Sequence, residues 1–92
     1  MTLEDWRARI DEIDRKLVEL LNDRTRCVVE IAKIKRLRSI EVFDPERERQ
    51  VIKNVQSING GPLDNEGLQR VFERLIDESR RLEHRISDTG VK

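Results

Sequence analysis

The fold is decided by residues 3–38, LEDWRARIDEIDRKLVELLNDRTRCVVEIAKIKRLR. Apolar side chains recur in this stretch at alternating steps of three and four positions, which is the period of an amphipathic α-helix. No Gly or Pro interrupts it, and Thr2 followed by Asp5 has the residue types of a helix-capping signal. The sequence therefore predicts one long helix over residues 3–38. The positions of its apolar stripe are Leu3, Trp6, Ile10, Ile13, Leu17, Leu20, Cys27, Ile31 and Ile34.

Two shorter helices are predicted after the long one. Residues 44–46, Asp-Pro-Glu, combine an N-cap residue with Pro at the first helical position, which is a strong helix start. Residues 59–62, Asn-Gly-Gly-Pro, are the clearest break in the chain, so helix two should end before them. The third helix is predicted to begin at Asp64 or Asn65.

The apolar positions of the third helix continue to Ile86. We therefore expect a single helical domain over residues 1–86 and a disordered tail over residues 87–92. The predicted fold class is all-α, with three helices in each chain.

The length of the first helix indicates how the chain assembles. A helix over residues 3–38 is about 54 Å long at 1.5 Å per residue, whereas a compact chain of this size has a radius of gyration of about 12 Å. The two shorter helices cannot cover it, so part of its apolar stripe would face water and mark a partner surface. We therefore expect a homodimer in which two long helices run antiparallel, as twofold symmetry permits.

Composition and charge exclude several functional classes. The 19 basic and 19 acidic residues give a formal net charge of zero, whereas a general nucleic-acid binder needs surplus positive charge to displace counterions. No apolar run approaches the roughly 20 residues that cross a bilayer, and the acidic N-terminal residues do not fit a secretory signal. We expect a cytoplasmic protein that binds neither nucleic acid nor membrane.

The residue types also narrow the chemistry. Cys27 is the only cysteine and His84 the only histidine, so we expect neither a metal site nor a Ser-His-Asp set. No glycine-rich phosphate loop is present either. We expect Cys27 in the core and His84 on the surface. A reaction here would depend on positioning and electrostatics, without a covalent intermediate.

Arg24 occupies a core position of the first helix, in the register of Ile10 and Leu17 that resumes at Ile31. A buried charge is costly unless a partner satisfies it. An internal salt bridge, to Glu30 or to another helix, is one explanation. An anion-binding site is the other, because a guanidinium matches a carboxylate with two hydrogen bonds.

Two further basic residues of this helix can be placed relative to Arg24. Lys35 lies close to three turns later on the same face, about 16 Å along the axis, so both side chains can reach one ligand between them. The alternative role for Lys35 is to stabilise the helix dipole. Arg7 lies about 25 Å from Arg24 along the axis. It could join the same pocket only from a second, antiparallel copy.

Charged residues also mark the second and third helices. Residues 44–49, Asp-Pro-Glu-Arg-Glu-Arg, are either a capped and solvated charge run or a lid that folds acidic and basic side chains over the pocket. In the third helix, Ser79 and Glu83 are four positions apart and share a face. Acidic groups facing a basic pocket would suit a ligand that carries hydroxyl groups.

The order and spacing of these residues resemble the all-helical chorismate mutase family, over residues 3–85. The phrase VFDPERER at residues 42–49, with Gly61-Pro62 later, is most similar to members linked to DAHP synthase, the first enzyme of the shikimate pathway. The resemblance rests on Trp6, Arg7, Ile10, Asp11, Ile13, Asp14, Leu17, Leu20, Leu21, Arg24, Lys35 and residues 44–49.

The resemblance implies an intertwined helical homodimer that has two active sites and no cofactor. The implied reaction is the Claisen rearrangement of chorismate to prephenate, in phenylalanine and tyrosine biosynthesis. By analogy, Arg24 and the partner's Arg7 would hold the two substrate carboxylates, with help from Ser79. Lys35 would donate a hydrogen bond to the ether oxygen and to a carboxylate.

The resemblance also implies roles at the ring hydroxyl and the ether oxygen. Asp44, through its backbone, and Glu48 would bind the ring hydroxyl, while Arg47 would order the lid. Glu83 stands where many members carry a glutamine that donates to the ether oxygen, although some members, fungal ones among them, carry glutamate. Since an ionised carboxylate cannot donate, our hypothesis is that Glu83 acts in its protonated form.

Two other functions are alternatives. Isochorismate pyruvate lyase shares the fold and the basic pocket, but the acidic residues Asp44 and Glu48 favour the mutase. A non-enzymatic helical module, either a dimerisation domain or a regulatory partner of DAHP synthase, is the alternative outside the enzymes. A pure binding module would have no reason to place Arg24 in its core.

Overall fold

The computed structural model describes residues 1–89, which form three helices and no strand. α1 spans Leu3–Leu37, α2 spans Pro45–Ser57 and α3 spans Asn65–Thr89. The all-α prediction is confirmed. The molecule extends 55 Å along its longest axis, and its radius of gyration is 16.4 Å. It is elongated because α1 is much longer than the diameter of a compact chain of this size. Within the described residues, no helix is both long and apolar enough to cross a membrane.

α1 begins at Leu3 as predicted and ends at Leu37, one residue before the predicted end. The Thr2 hydroxyl accepts a hydrogen bond from the Asp5 N–H at 3.1 Å, and the Asp5 carboxylate accepts one from the Thr2 N–H at 2.8 Å. Two hydrogen bonds with Thr2 hold the pKa of the Asp5 carboxyl below its ordinary value, and the one to the Thr2 backbone has a larger effect than the one to its side chain. At the other end, Arg38 is the C-cap residue.

A Schellman turn ends α1 and redirects the chain. The Ile40 N–H donates to the Lys35 carbonyl at 2.8 Å, and the Ser39 N–H donates to the Arg36 carbonyl at 3.3 Å. Ser39 takes the left-handed conformation, with φ of 56°, which glycine adopts more readily. The turn brings the Val42 carbonyl within 3.0 Å of Lys35 Nζ, so the connection lies against the side chains of α1.

α2 starts as predicted at Asp44 and Pro45. The Asp44 carboxylate accepts a hydrogen bond from the Arg47 N–H at 3.1 Å, and Pro45 is the first helical residue. The helix ends at Ser57, before the predicted break. Both α1 and α2 pack against α3.

α3 begins within the predicted range and continues past the predicted end. Asp64 caps it by accepting a hydrogen bond from the Gly67 N–H at 2.7 Å. The helix runs to Thr89 instead of ending near Ile86, since no Gly or Pro breaks it in that stretch. Residues 87–89 of the expected tail therefore continue the helix, and residues 90–92 lie outside the described residues.

The buried core is small. Among the described residues it consists of Val28 and Ala32 from α1 and Ile76 from α3. In the first part of α1 the apolar stripe is exposed, as the length argument predicts, and such a face usually marks a partner surface. Side chains that are 45–63% exposed there are Leu3, Trp6, Ile10, Ile13, Leu17 and Leu20.

Candidate active site

A cavity of about 370 Å³ lies where the second half of α1, the start of α2 and the second half of α3 meet. Every predicted site residue except Arg7 lines it: Arg24, Lys35, Asp44, Arg47, Glu48, Ser79 and Glu83. The other lining residues are Cys27, Val28, Ile31, Val42, Val51, Ile76 and Arg80. Side chains far apart in sequence thus share one cavity, and Arg7 lies outside it on the first turns of α1.

Arg24 joins α1 to α3 at one wall of the cavity. Its Nη1 donates a hydrogen bond to Ser79 Oγ at 2.7 Å, in a half-buried setting. Glu30, the alternative ion-pair partner, lies 3.3 Å from Lys33, and no ion pair of the described residues includes Arg24. The guanidinium charge is therefore available to an anion in the cavity.

Lys35 and Glu83 form the least exposed ion pair of the described residues. Lys35 Nζ lies 3.0 Å from Glu83 Oε1, and the two side chains are 17% and 13% exposed. Lys35 also donates to the Val42 carbonyl at 3.0 Å. Although Lys35 is near, Glu83 Oε1 is buried and accepts no aligned hydrogen bond. A buried oxygen in this state marks a place where a bound ligand can complete the hydrogen bonding.

Arg80 binds Glu48 on the α2 side of the cavity, which Asp44 and Glu48 line and which we call the acidic end. Its Nε and Nη2 donate to the two carboxylate oxygens of Glu48, at 3.1 and 3.0 Å. Its Nη2 also lies 3.3 Å from Asp77 Oδ1. The guanidinium carbon is 5.4 Å from the centre of the Phe43 ring, within cation–π range.

Asp44 and Arg47 lie at the cavity rim, and both are exposed. Asp44 serves as the N-cap of α2. The Arg47 guanidinium donates to Gln50 Oε1 at 2.7 Å, on the same helix. Its contact with a substrate or with the rest of the lid therefore stays a prediction.

Two lining residues differ from the sequence prediction. Arg80 was overlooked, although it lies four positions after Ile76 and three before Glu83, a spacing that places all three near one face of α3. Cys27, expected in the core, is exposed and lines the cavity, and the buried residue at this point of α1 is its neighbour Val28. His84 is exposed, as predicted.

The charges of the cavity suit a small anion that carries a hydroxyl group. The lining cations are Arg24, Lys35, Arg47 and Arg80, and the lining acids are Asp44, Glu48 and Glu83. Cations therefore exceed acids by one. Such a site can hold a carboxylate and stabilise negative charge that develops on an oxygen near Lys35.

The family model of chorismate mutase type II matches residues 6–84. This chain belongs to that family. This chain is 38% identical over 86 residues to the bifunctional chorismate mutase/prephenate dehydratase of Pseudomonas aeruginosa, and the match covers 88% of this chain. The chain spans only 24% of the length of that relative.

Solved structures of the family have the same fold. Form II of the chorismate mutase from Thermus thermophilus has a TM-score of 0.88 at 28% identity, covering 90% of this chain and 94% of that one. The chorismate mutase from Helicobacter pylori, in complex with prephenate, has a TM-score of 0.85 at 28% identity, covering 95% of this chain and 94% of that one. The resemblance to chorismate mutases is thus confirmed, and the link to DAHP synthase stays a prediction.

Proposed function

We propose that this chain converts chorismate to prephenate by a Claisen rearrangement, without a covalent intermediate or a cofactor. Membership of the chorismate mutase family supports the proposal, as does the prephenate bound to the Helicobacter pylori relative. One observation carries it: a single cavity collects Arg24, Lys35 and Glu83 from two helices, with an acidic end at Glu48. Arg24 and Lys35 supply positive charge for an anionic substrate, and Glu48 supplies an acceptor for its hydroxyl group.

The first task of the site is to hold chorismate in its reactive shape. Arg24, oriented by its hydrogen bond to Ser79, would bind one substrate carboxylate. Glu48 and the backbone of Asp44, at the acidic end of the cavity, would bind the ring hydroxyl. Contacts at both ends favour the compact, chair-like conformer over extended ones, which removes much of the entropic part of the barrier.

The second task is to stabilise the transition state. As the C–O bond breaks, negative charge develops on the ether oxygen. Lys35 Nζ would donate to this oxygen, and a donor aimed there stabilises the transition state more than the ground state. Because its present contacts are Val42 and Glu83, Lys35 is held within the cavity before the substrate binds.

In this structure Glu83 pairs with Lys35. With chorismate bound, Glu83 would carry a proton and donate to the same ether oxygen. We therefore expect the kcat/KM of the wild-type chain to be higher at acidic pH than at neutral pH. The substitution Glu83→Gln keeps a donor at every pH and should flatten this profile. Initial rates of chorismate loss between acidic and neutral pH measure both.

The control for this pH experiment is Glu78→Gln, because Glu78 is also on α3 but pairs with Arg74 on the surface. It should keep the wild-type profile. A wild-type rate that is constant across the range would show that Glu83 does not act through its proton.

The active assembly that we propose is a homodimer with antiparallel α1 helices. The apolar stripe exposed on α1 supports this, since Trp6 and Ile10 are 55% and 54% exposed in one chain. Arg7 lies near this stripe and outside the cavity of its own chain. In the dimer the partner's Arg7 would bind the second carboxylate of chorismate. We place the enzyme in the cytoplasm, in phenylalanine and tyrosine biosynthesis, with DAHP synthase as a candidate partner.

The direct test is the ultraviolet absorbance of chorismate mixed with the purified chain, with prephenate identified as the product. Rapid loss of chorismate with formation of prephenate is the expected result. A parallel sample receives isochorismate, and mass detection of pyruvate and salicylate would reveal the lyase instead. No turnover of either compound by a folded dimer would point to a non-enzymatic module.

A further inference from the structure

We propose that Arg80 is a positioning residue that orients the Glu48 carboxylate and offsets its charge, so that a substrate with two carboxylates can bind beside it. The inference rests on the proposed function. It extends the site to a residue of α3 for which the family resemblance implied no role.

The contact between Arg80 and Glu48 fixes the orientation of the Glu48 carboxylate. Arg80 donates through Nε and Nη2 to both oxygens of Glu48, at 3.1 and 3.0 Å. This paired contact sets the plane of the carboxylate as well as its distance, which a lysine could not do. A carboxylate has about four lone-pair sites. Arg80 uses one on each oxygen, so Glu48 retains acceptor sites for a ligand hydroxyl.

Two further contacts, with Phe43 and with Asp77, fix the position of the Arg80 side chain. Its guanidinium lies 5.4 Å from the centre of the Phe43 ring in the connection between α1 and α2. Its Nη2 lies 3.3 Å from Asp77 one turn earlier on α3. Arg80 thus joins α3, α2 and the connection at one point, and the orientation that it imposes on Glu48 depends on all three.

Arg80 also contributes to the charge of the cavity. Among the described residues, Arg80 is one of four cations that line the cavity, so its removal lowers the positive charge there by one. Chorismate brings two negative charges. An unpaired Glu48 would repel them across a partly shielded site, since Arg80 and Glu48 are only 33% and 27% exposed. Binding of the substrate should therefore depend on Arg80 more than the chemical step does.

Steady-state kinetics with chorismate test this on Arg80→Ala, Arg80→Lys, and Arg80→Ala combined with Glu48→Gln. Arg80→Ala should raise KM about tenfold or more while kcat changes less. The unpaired Glu48 carboxylate would repel the substrate carboxylates and so weaken binding. Arg80→Lys should restore only part of the loss, since it returns the charge without the paired contact.

The combined variant separates positioning from direct substrate binding. In the Glu48→Gln background, the Glu48 charge that Arg80 offsets is absent. Adding Arg80→Ala to that background should therefore change KM by less than about threefold. The matched control is Arg74→Ala, because Arg74 forms a surface ion pair at 2.8 Å with Glu78 on the same helix and lies outside the cavity. It should leave KM and kcat unchanged.

Two results would overturn the inference. One is an Arg80→Ala chain that keeps the wild-type KM. The other is a KM increase on Arg80→Ala that is as large in the Glu48→Gln background as in the wild-type background. If Arg80→Ala fails to fold, Arg80→Lys with and without Glu48→Gln makes the same comparison. A wild-type chain that neither converts chorismate nor binds prephenate removes the proposed function first, and this inference with it.

Discussion

Replacing Lys35 with Ala is expected to lower kcat/KM for chorismate by about a thousandfold, because it removes a donor to the oxygen on which charge develops. The substitution also leaves Glu83 in a largely buried setting without its cation. The charge on this oxygen develops only as the C–O bond breaks. The loss should therefore fall mainly on kcat, and initial rates at several chorismate concentrations measure it.

Lys33→Ala is the matched control for this substitution. Lys33 lies two positions earlier on α1, its side chain is 55% exposed and its partner is Glu30 on the surface, so its removal should leave the rate unchanged. Thermal unfolding of both variants shows whether the helices remain intact. A folded Lys35→Ala chain with the wild-type rate would place the chemistry elsewhere.

Arg7→Ala and Arg24→Ala should each lower kcat/KM by about a hundredfold or more, since each removes a charged contact with a substrate carboxylate. Mixed together, the two inactive chains should regain activity. A mixed dimer has one site with both substitutions and one site with neither, because Arg24 and Arg7 of that second site come from different chains. Random pairing restores about a quarter of the sites.

The control for this mixing experiment is Arg24→Ala with Lys35→Ala. Both residues line the cavity of the same chain, so every site in the mixed dimer carries one substitution or the other and activity should not return. Recovery in this control, or none in the Arg7→Ala mixture after subunit exchange, would contradict a site that takes Arg7 from the partner subunit.

Local signals explain why the helices could be predicted closely. The Thr2 capping box and the Asp44-Pro45 start act within one helical turn, and both are present in the structure. The exception is the end of α3, where the apolar pattern stops at Ile86 but the helix continues to Thr89. A helix continues until a residue breaks it, and loss of apolar periodicity alone does not do so.

The site could be predicted only in part. Arg24 was identified by its charge in an apolar register, and Lys35 by its position nearly three turns later, since both arguments concern one helix. The contact of Lys35 with Glu83 joins two helices, and the prediction that both residues share a site came from a family resemblance. Periodicity within α1 contains no information about how α3 is rotated against it.

Three helices, the N-terminal signals of α1 and α2, the exposed apolar stripe of α1 and the unusual position of Arg24 all follow from local sequence patterns. The pairing of Arg80 with Glu48 and the place of Cys27 in the cavity lining instead of the core could be learned only from the folded chain. The physical reason is that a helix follows from interactions within a few residues, whereas side-chain partners across helices depend on crossing angle and rotation. Those are set by packing of the whole chain around Val28, Ala32 and Ile76.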